Sequence, residues 1–260
     1  AESFPVEVSK LTADLLSTTL NMSKKTDGAL NPCLYPVTSA WGFTTKKYRI
    51  PSEIEIPNLL KKCDYNNVKI KNNLVYAEPG MMFDLGAVGK GFAGDEAIKV
   101  LKKHGVKSAI LDLGGNIQTI GSKPDGSKWT IGIKNPFSET PIGSLKISNK
   151  AVITSAGYER FFQTEDGKKH IHIFDGSTGH PVENEVLSAT AIGDSGTYCD
   201  LLSTSLFVLG VEKSITLWKQ EKNFDFIIIT KDKKIYITKS ILNDFILNND
   251  DKNISLIFVK

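Results

Sequence analysis

The sequence predicts an α+β fold: mixed, largely antiparallel sheets with packed helices. Three observations carry this. Short strand-like runs follow one another between residues 108 and 154 with no helix among them, the helical patterns are few and separated, and the one strand-to-helix junction that suggests a β-α-β unit has no second half. With 260 residues, 40% of them hydrophobic, the chain can bury a sizeable core. It shows no internal repeat or low-complexity linker, so one domain over residues 1–260 is expected.

Each element has its own reason. Across residues 9–25, Leu11, Leu15, Leu16, Leu20 and Met22 form a helical stripe, and Gly28 supplies a stop just past Thr26 and Asp27. A short helix is expected over Ile54–Cys63, then a hairpin, Val68–Ile70 with Leu74–Ala77, turning at Lys71, Asn72 and Asn73. Ala93, Ala97, Val100 and Leu101 recur at helical spacing, giving a helix over Ala93–His104 that ends at Gly105. Strands are then expected at Ser108–Asp112, Ile117–Gly121, Trp129–Ile133, Leu145–Ser148 and Ala151–Thr154, punctuated by Gly-Gly, Pro-Asp-Gly and Asn-Pro turns. Further strands, His170–Phe174 and Ser188–Ile192, precede a helix over Thr197–Leu209 closed by Gly210. The tail returns to strands at Phe226–Thr230, Lys234–Thr238 and Ile254–Val259.

Composition excludes several classes of function. The net charge is only +3, and Arg49 and Arg160 are the only arginines, so neither a basic field nor arginine forks are there to grip nucleic acid. No apolar run approaches the roughly 18 residues of a membrane span without polar interruption. Cys33, Cys63 and Cys199 are far apart and make neither a C-x-x-C pair nor a disulfide scaffold. The opening residues Ala1–Val6 carry no basic leader or apolar h-region.

The richest segment is Asp84–Asp95, where Gly86, Gly89, Gly91 and Gly94 surround Lys90 ahead of the expected helix. Glycines let backbone amides approach an anion, and a helix N-terminus adds partial positive charge. Gly89, Gly91 and Gly94 satisfy G-x-G-x-x-G with Asp112 beyond, a Rossmann pattern, but the context is poor, and Lys90 is followed by Gly91 rather than the Ser or Thr of a P-loop. Phosphate binding is the preferred reading over a plain tight turn. Asp200 and Thr204, four apart on a helix, share one face and present oxygens suited to Mg²⁺; a capping role for Asp200 is the competing reading. His170 and His172 alternate on one strand, with Asp175 and His180 following; two histidines without a spaced third ligand do not make a zinc site, which leaves His172 as a ligand-contacting or catalytic group.

Six motifs follow in order: Thr26–Pro32 with Trp41–Phe43, Asp84–Gly91, Leu113–Asn116, Thr154–Arg160, His172–Asp175 with Thr178 and Gly179, and Asp200–Thr204. In this order they resemble the FAD:protein FMN transferases, the ApbE family. Together they cover residues 26 to about 210. The resemblance implies an ApbE-like, T-fold-related architecture and an enzyme that uses FAD and Mg²⁺, attaches FMN by a phosphoester to a threonine or serine of an acceptor protein, and releases AMP. It implies FAD contacts at Trp41, Gly42, Phe43, Asp84, Lys90, His172 and Phe174. Mg²⁺ would be held by the Ala87 carbonyl with Asp200 and Thr204. Such proteins are generally exported and lipid-tethered on the outer face of the cytoplasmic membrane, so that location is expected here too. The chain departs from the family pattern in starting after the usual Met-Gly-Thr strand, as a truncated form would, and in carrying Gly176 where proline is usual.

The expected reaction is in-line attack by an acceptor hydroxyl on the FMN-side phosphorus. His172 is the expected base, with Asp175 as its orienting partner or its substitute. Two other readings compete: a noncatalytic FAD-binding or flavin-carrier module, and an FAD pyrophosphate hydrolase that yields FMN and AMP.

Overall fold

A computed structural model describes residues 4–248 and 253–260, so residues 1–3 of the opening segment lie outside it. The chain divides into two compact units, Ala1–Ala87 with Glu159–Glu183, and Val88–Tyr158 with Asn184–Lys260.

In the first unit, helix α1 (Lys10–Lys25) starts at Ser9, whose hydroxyl accepts the Thr12 N–H, and ends before Gly28 at φ 78°. Its stripe is narrower than the sequence suggests. Leu15, Leu16, Leu20 and Met22 are buried, whereas Leu11 is 54% exposed. Helix α2 (Tyr35–Ala40), too short to show a period, was not expected, and α3 (Glu55–Leu60) is shorter than the Ile54–Cys63 reading. The hairpin pairs Lys69–Lys71 with Leu74–Tyr76, and Val6–Glu7 adds a third strand that propensity could not reveal. Leu16, Leu20, Val37, Trp41, Phe43, Met81 and Phe174 belong to this unit's core.

The second unit is built on a seven-stranded sheet. Its order is Ser255–Val259, Lys234–Thr238, Asp225–Thr230, Val186–Gly193, Ala151–Ala156, Asn116–Ile120 and Ala109–Asp112, antiparallel throughout except for the first pair. Alternation sorts its side chains. Ile117, Val152, Ile192, Ile227, Ile229, Ile235 and Ile237 join one apolar cluster with Ile131, Ile133, Leu145 and Phe245 of a three-stranded sheet, Trp129–Ile133, Gly143–Ile147 and Phe245–Leu247. Helices α4 (Gly89–Lys103) and α5 (Gly196–Glu221) cover the opposite face.

Both helices differ from the sequence reading. α4 begins four residues before the expected Ala93, so the glycines form its first turns instead of a loop. Its buried face carries Gly91 and Gly94, while Val100 from the expected stripe is 57% exposed. A Cβ on Gly91 would lie 2.2 Å from the Gly196 carbonyl oxygen, and one on Gly94 would lie 2.1 Å from Gln118 Nε2. These glycines are contact points for the neighbouring helix and strand.

α5 runs on past Gly210, the expected stop. Gly210, at φ 75° and ψ 178°, breaks the helix, and Glu185 Oε1 accepts the Val211 N–H at 2.7 Å so that the second segment can start. By length and composition this 26-residue helix could cross a membrane, but Leu201, Leu202, Leu206 and Phe207 along it are buried within the unit.

Gly91→Ala should therefore destabilise the protein by about 1–3 kcal/mol or more through overpacking against backbone, although alanine is the better helix former. Gly89 has nothing within 4 Å of a built Cβ, so Gly89→Ala should gain about 0.5–1 kcal/mol. Urea melts of the two variants check the contrast.

Candidate functional site

In the second unit the starts of α4 and α5 exchange carboxylates. Ser195 caps α5 through its own hydroxyl, which accepts the Tyr198 N–H, but the next donors are served from α4. Asp95 accepts from the Gly196 N–H at 2.7 Å, the Thr197 N–H at 2.9 Å, and the hydroxyls of Ser195 and Thr197 at 2.8 and 2.7 Å. Asp200 answers in the other direction. It lies beyond the first turn of α5 and does not cap its own helix; its Oδ2 accepts the Gly91 N–H of α4 at 2.8 Å. Negative charge at both helix starts is favoured by the unsatisfied amides there.

Asp200 is 5% exposed, and burial raises its pKa, while the Gly91 N–H and the Lys90 charge act in the opposite direction. Among the described residues its Oδ1 receives no protein hydrogen bond. A buried carboxylate with one donor and one lysine nearby is under-compensated, which suits a hard cation. Thr204 is one turn further along α5, its Oγ1 3.0 Å from Ser155 Oγ, which is also 2.9 Å from Ser203 Oγ. The expected face with Asp200 and Thr204 therefore exists. Among the described residues no group of three His, Cys, Asp or Glu gathers as a metal cage, so a cation here would take water for its remaining ligands, and substrate oxygens in place of some of it when substrate is bound.

Lys90 is exposed at the second helical position of α4, beside amides that α4 itself cannot pair. Lys90 thus stands at a helix N-terminus rather than in a loop. The Rossmann pattern fails on structure. Asp112 turns back to take the Gly115 N–H at 2.7 Å, and its strand pairs antiparallel with the next.

In the first unit, Trp41 and Phe43 are core residues, 1% and 5% exposed, with Gly42 between them at φ 86°. A Cβ on Gly42 would meet the Lys47 carbonyl at 2.0 Å, so this bend admits only glycine. Trp41 Nε1 donates to the Gly179 carbonyl at 3.1 Å. Phe174 packs 5.8 Å from Trp41 and 5.7 Å from Phe43, ring centre to ring centre, and His172 lies 6.4 Å from Phe43. The aromatic rings form a scaffold around the histidines.

The predicted His170–Phe174 strand is split into Lys169–Ile171 and Phe174–Asp175, so His170 and His172 do not share a strand. His170 is buried and stacked on Phe162 at 5.0 Å. His172 Nδ1 is 3.0 Å from the Arg160 carbonyl oxygen. A carbonyl can only accept, so Nδ1 carries the proton and Nε2 is left as the basic nitrogen. Burial lowers the His172 pKa; the Arg160 carbonyl bond and the charges of Asp84 and Glu159 oppose this, and the Arg160 charge adds to it.

The expected orienting role of Asp175 is taken by that carbonyl. Asp175 Oδ1 instead accepts the Ser177 N–H at 2.8 Å and its hydroxyl at 2.6 Å, while the Asp175 carbonyl takes the Gly179 N–H at 2.8 Å, so its turn is closed without the proline that Gly176 replaces. Asp84 Oδ1 accepts the Gly86 N–H at 2.8 Å. Arg160 Nη2 donates to the Phe43 carbonyl at 3.2 Å, and Asp95 and Gln118 have partners about a hundred and 27 residues away, contacts that no local sequence signal marks.

The first unit thus holds Trp41, Gly42, Phe43, Asp84, Ala87, His172, Phe174 and Asp175; the second holds Lys90, Asp200 and Thr204. Residues 1–228 match the sequence profile of the ApbE family. The chain belongs to the ApbE family. It is 32% identical to the FAD:protein FMN transferase of Treponema pallidum, over 94% of this chain and 72% of that protein, and 34% identical to one from Klebsiella pneumoniae, over 90% and 73%. Among solved structures it resembles the ApbE protein of Thermotoga maritima, with a TM-score of 0.87 and 30% identity over 93% of this chain and 80% of that one. It also resembles the flavin transferase ApbE of Vibrio cholerae, with a TM-score of 0.83 and 26% identity over 93% and 79%. The α+β fold class and the family read from the motifs both hold.

The Asp200 environment has a measurable consequence. A carboxyl whose folded pKa is raised contributes stability below its unfolded value of about 3.9, and that contribution is lost as pH rises through the folded value. Asp200→Asn retains an acceptor for Gly91, so at neutral pH and without divalent cations it should be more stable than wild type, the gap closing by about pH 4. Urea melts across pH check this; lower stability of the variant at pH 7 would mean that the charge is already compensated.

Proposed function

We propose that this chain transfers FMN from FAD to a threonine or serine hydroxyl of an acceptor protein, with Mg²⁺ required and AMP released. Membership of the ApbE family, whose relatives above are FAD:protein FMN transferases, supports the transfer. The observation that carries the metal-dependent form is the buried Asp200 carboxylate, bonded on one oxygen only and one turn from Thr204 on α5. Asp200, Thr204 and the Ala87 carbonyl are the groups that would hold Mg²⁺, which when bound supplies neutralisation of charge growing on the pyrophosphate.

The chain's own residues supply the rest. Lys90 and the adjoining amides of α4 bind phosphate oxygens and fix the FMN-side phosphorus for attack. The acceptor hydroxyl oxygen forms a bond to that phosphorus, its bond to the bridging oxygen breaks, and AMP leaves. His172 Nε2 takes the hydroxyl proton, its ring held by the Arg160 carbonyl and packed against Phe43. No covalent enzyme intermediate is needed.

Incubation with FAD, Mg²⁺ and an acceptor domain, followed by mass analysis, should show acceptor gaining FMN together with stoichiometric AMP. AMP and free FMN with unmodified acceptor would instead assign hydrolysis, and FAD bound but unconverted would assign a carrier. EDTA should stop turnover and added Mg²⁺ should restore it. Lys90→Ala should weaken FAD binding about 10- to 150-fold, the loss of a charge-assisted contact of roughly 1.5–3 kcal/mol, read by fluorescence titration.

The lowered pKa keeps His172 neutral, and so able to accept a proton, at pH values below its usual 6.5 or so. The rate should be level near neutral pH and fall one decade per pH unit on the acid side of that lowered pKa. His172→Gln should cut the rate about 10²- to 10⁴-fold and abolish the acid limb. A persistent limb in the variant would assign the base elsewhere.

A further inference from the structure

Among the described residues four buried side-chain polar atoms have no hydrogen-bond partner, and two of them, Nδ2 and Oδ1, belong to Asn116. The residue is 1% exposed. A carboxamide sealed from solvent with both ends unpaired is costly, and native proteins keep such a group where a bound water or ligand completes it.

The sheet register says what faces it. Asn116 and Gln118 are two apart on one strand and share a face; Gln118 Nε2 donates to the Gly91 carbonyl of α4 at 2.9 Å. Directly opposite Asn116 is Ile153, and Ser155, two residues further on the same face, reaches Thr204 of α5. Asn116 therefore stands on the helix-covered face, between a residue that touches Gly91, the donor to Asp200, and a residue that touches Thr204. Gly114 and Gly115, at φ 67° and 83°, turn the chain immediately before it, so the strand begins with this side chain already pointed inward.

We propose that Asn116 is a positioning residue for the divalent cation, its carboxamide oxygen accepting a hydrogen bond from a water on the ion held by Asp200 and Thr204. The inference rests on the cation reading above. Magnesium keeps several of its waters, and groups that orient those waters govern affinity nearly as much as direct ligands do. A neutral carboxamide does this without adding charge beside a carboxylate that burial already disfavours.

The test is a calorimetric titration of Mg²⁺ and of Mn²⁺ into the FAD-free full chain, for wild type, Asn116→Leu and Asn116→Ala, with urea melts of the cation-free proteins. Leucine keeps the branching of asparagine, is somewhat larger and has no polar atoms. Asn116→Leu should bind either ion about 10- to 100-fold more weakly while melting no earlier than wild type, because no protein partner is lost. If leucine does not fit and the variant fails to fold, Asn116→Ala carries the same affinity test. Wild-type cation affinity in a folded variant overturns the assignment of Asn116 and leaves the cation reading standing. Failure of wild type itself to bind either ion overturns both.

Discussion

Two carboxylates exchanged between α4 and α5 set the second unit's geometry. Asp95 closes the start of α5, and Asp200 closes the start of α4, so each helix supplies the acceptor that the other lacks. The exchange is possible only because the helices nearly touch. Gly91 meets the Gly196 carbonyl, Gly94 and Gly196 both lie against Gln118, and any side chain on these glycines would separate the pairs. A contact of this kind tolerates little change, since backbone cannot yield as a flexible side chain can.

The same contact gives Asp200 two loads. It holds the α4 amide at Gly91, and in the proposed reaction it is the one anionic ligand of a cation. Burial raises its pKa, so the folded protein without a cation carries an electrostatic cost at this carboxylate. In that proposed reaction function and stability would pull in opposite directions at this residue. Ser155, Ser203 and Thr204 give the surrounding face short hydroxyls that pair with one another.

The first unit fixes the tautomer of one imidazole. Trp41, Phe43 and Phe174 are buried rings, Phe43 lies 6.4 Å from the His172 ring, and the Arg160 carbonyl selects its tautomer. A backbone acceptor does what a carboxylate does in many histidine sites, with less electrostatic pull on the pKa. Asp175 is thereby released to close its own turn with Ser177 and Gly179.

What the sequence by itself determined is what depends on near neighbours. The hairpin turning at Asn72 and Asn73, the strands Trp129–Ile133 and Lys234–Thr238, the α+β class, and the shared face of Asp200 and Thr204 all follow from periods of two or 3.6 residues and from turn chemistry, and the family follows from the order of short motifs. Tertiary structure decided the rest. Glycines in α4 read as a loop because nothing local marks a helix whose buried face is bare backbone; Gly210 read as a stop because Glu185, 25 residues away along the chain, rescues the next turn. Only packing shows Trp41 to be core. The partners of Asp95, Gln118, Asn116 and His172 come from distant segments brought together by sheet register and helix contact, and a hydrogen bond between distant residues leaves no trace in the spacing of either.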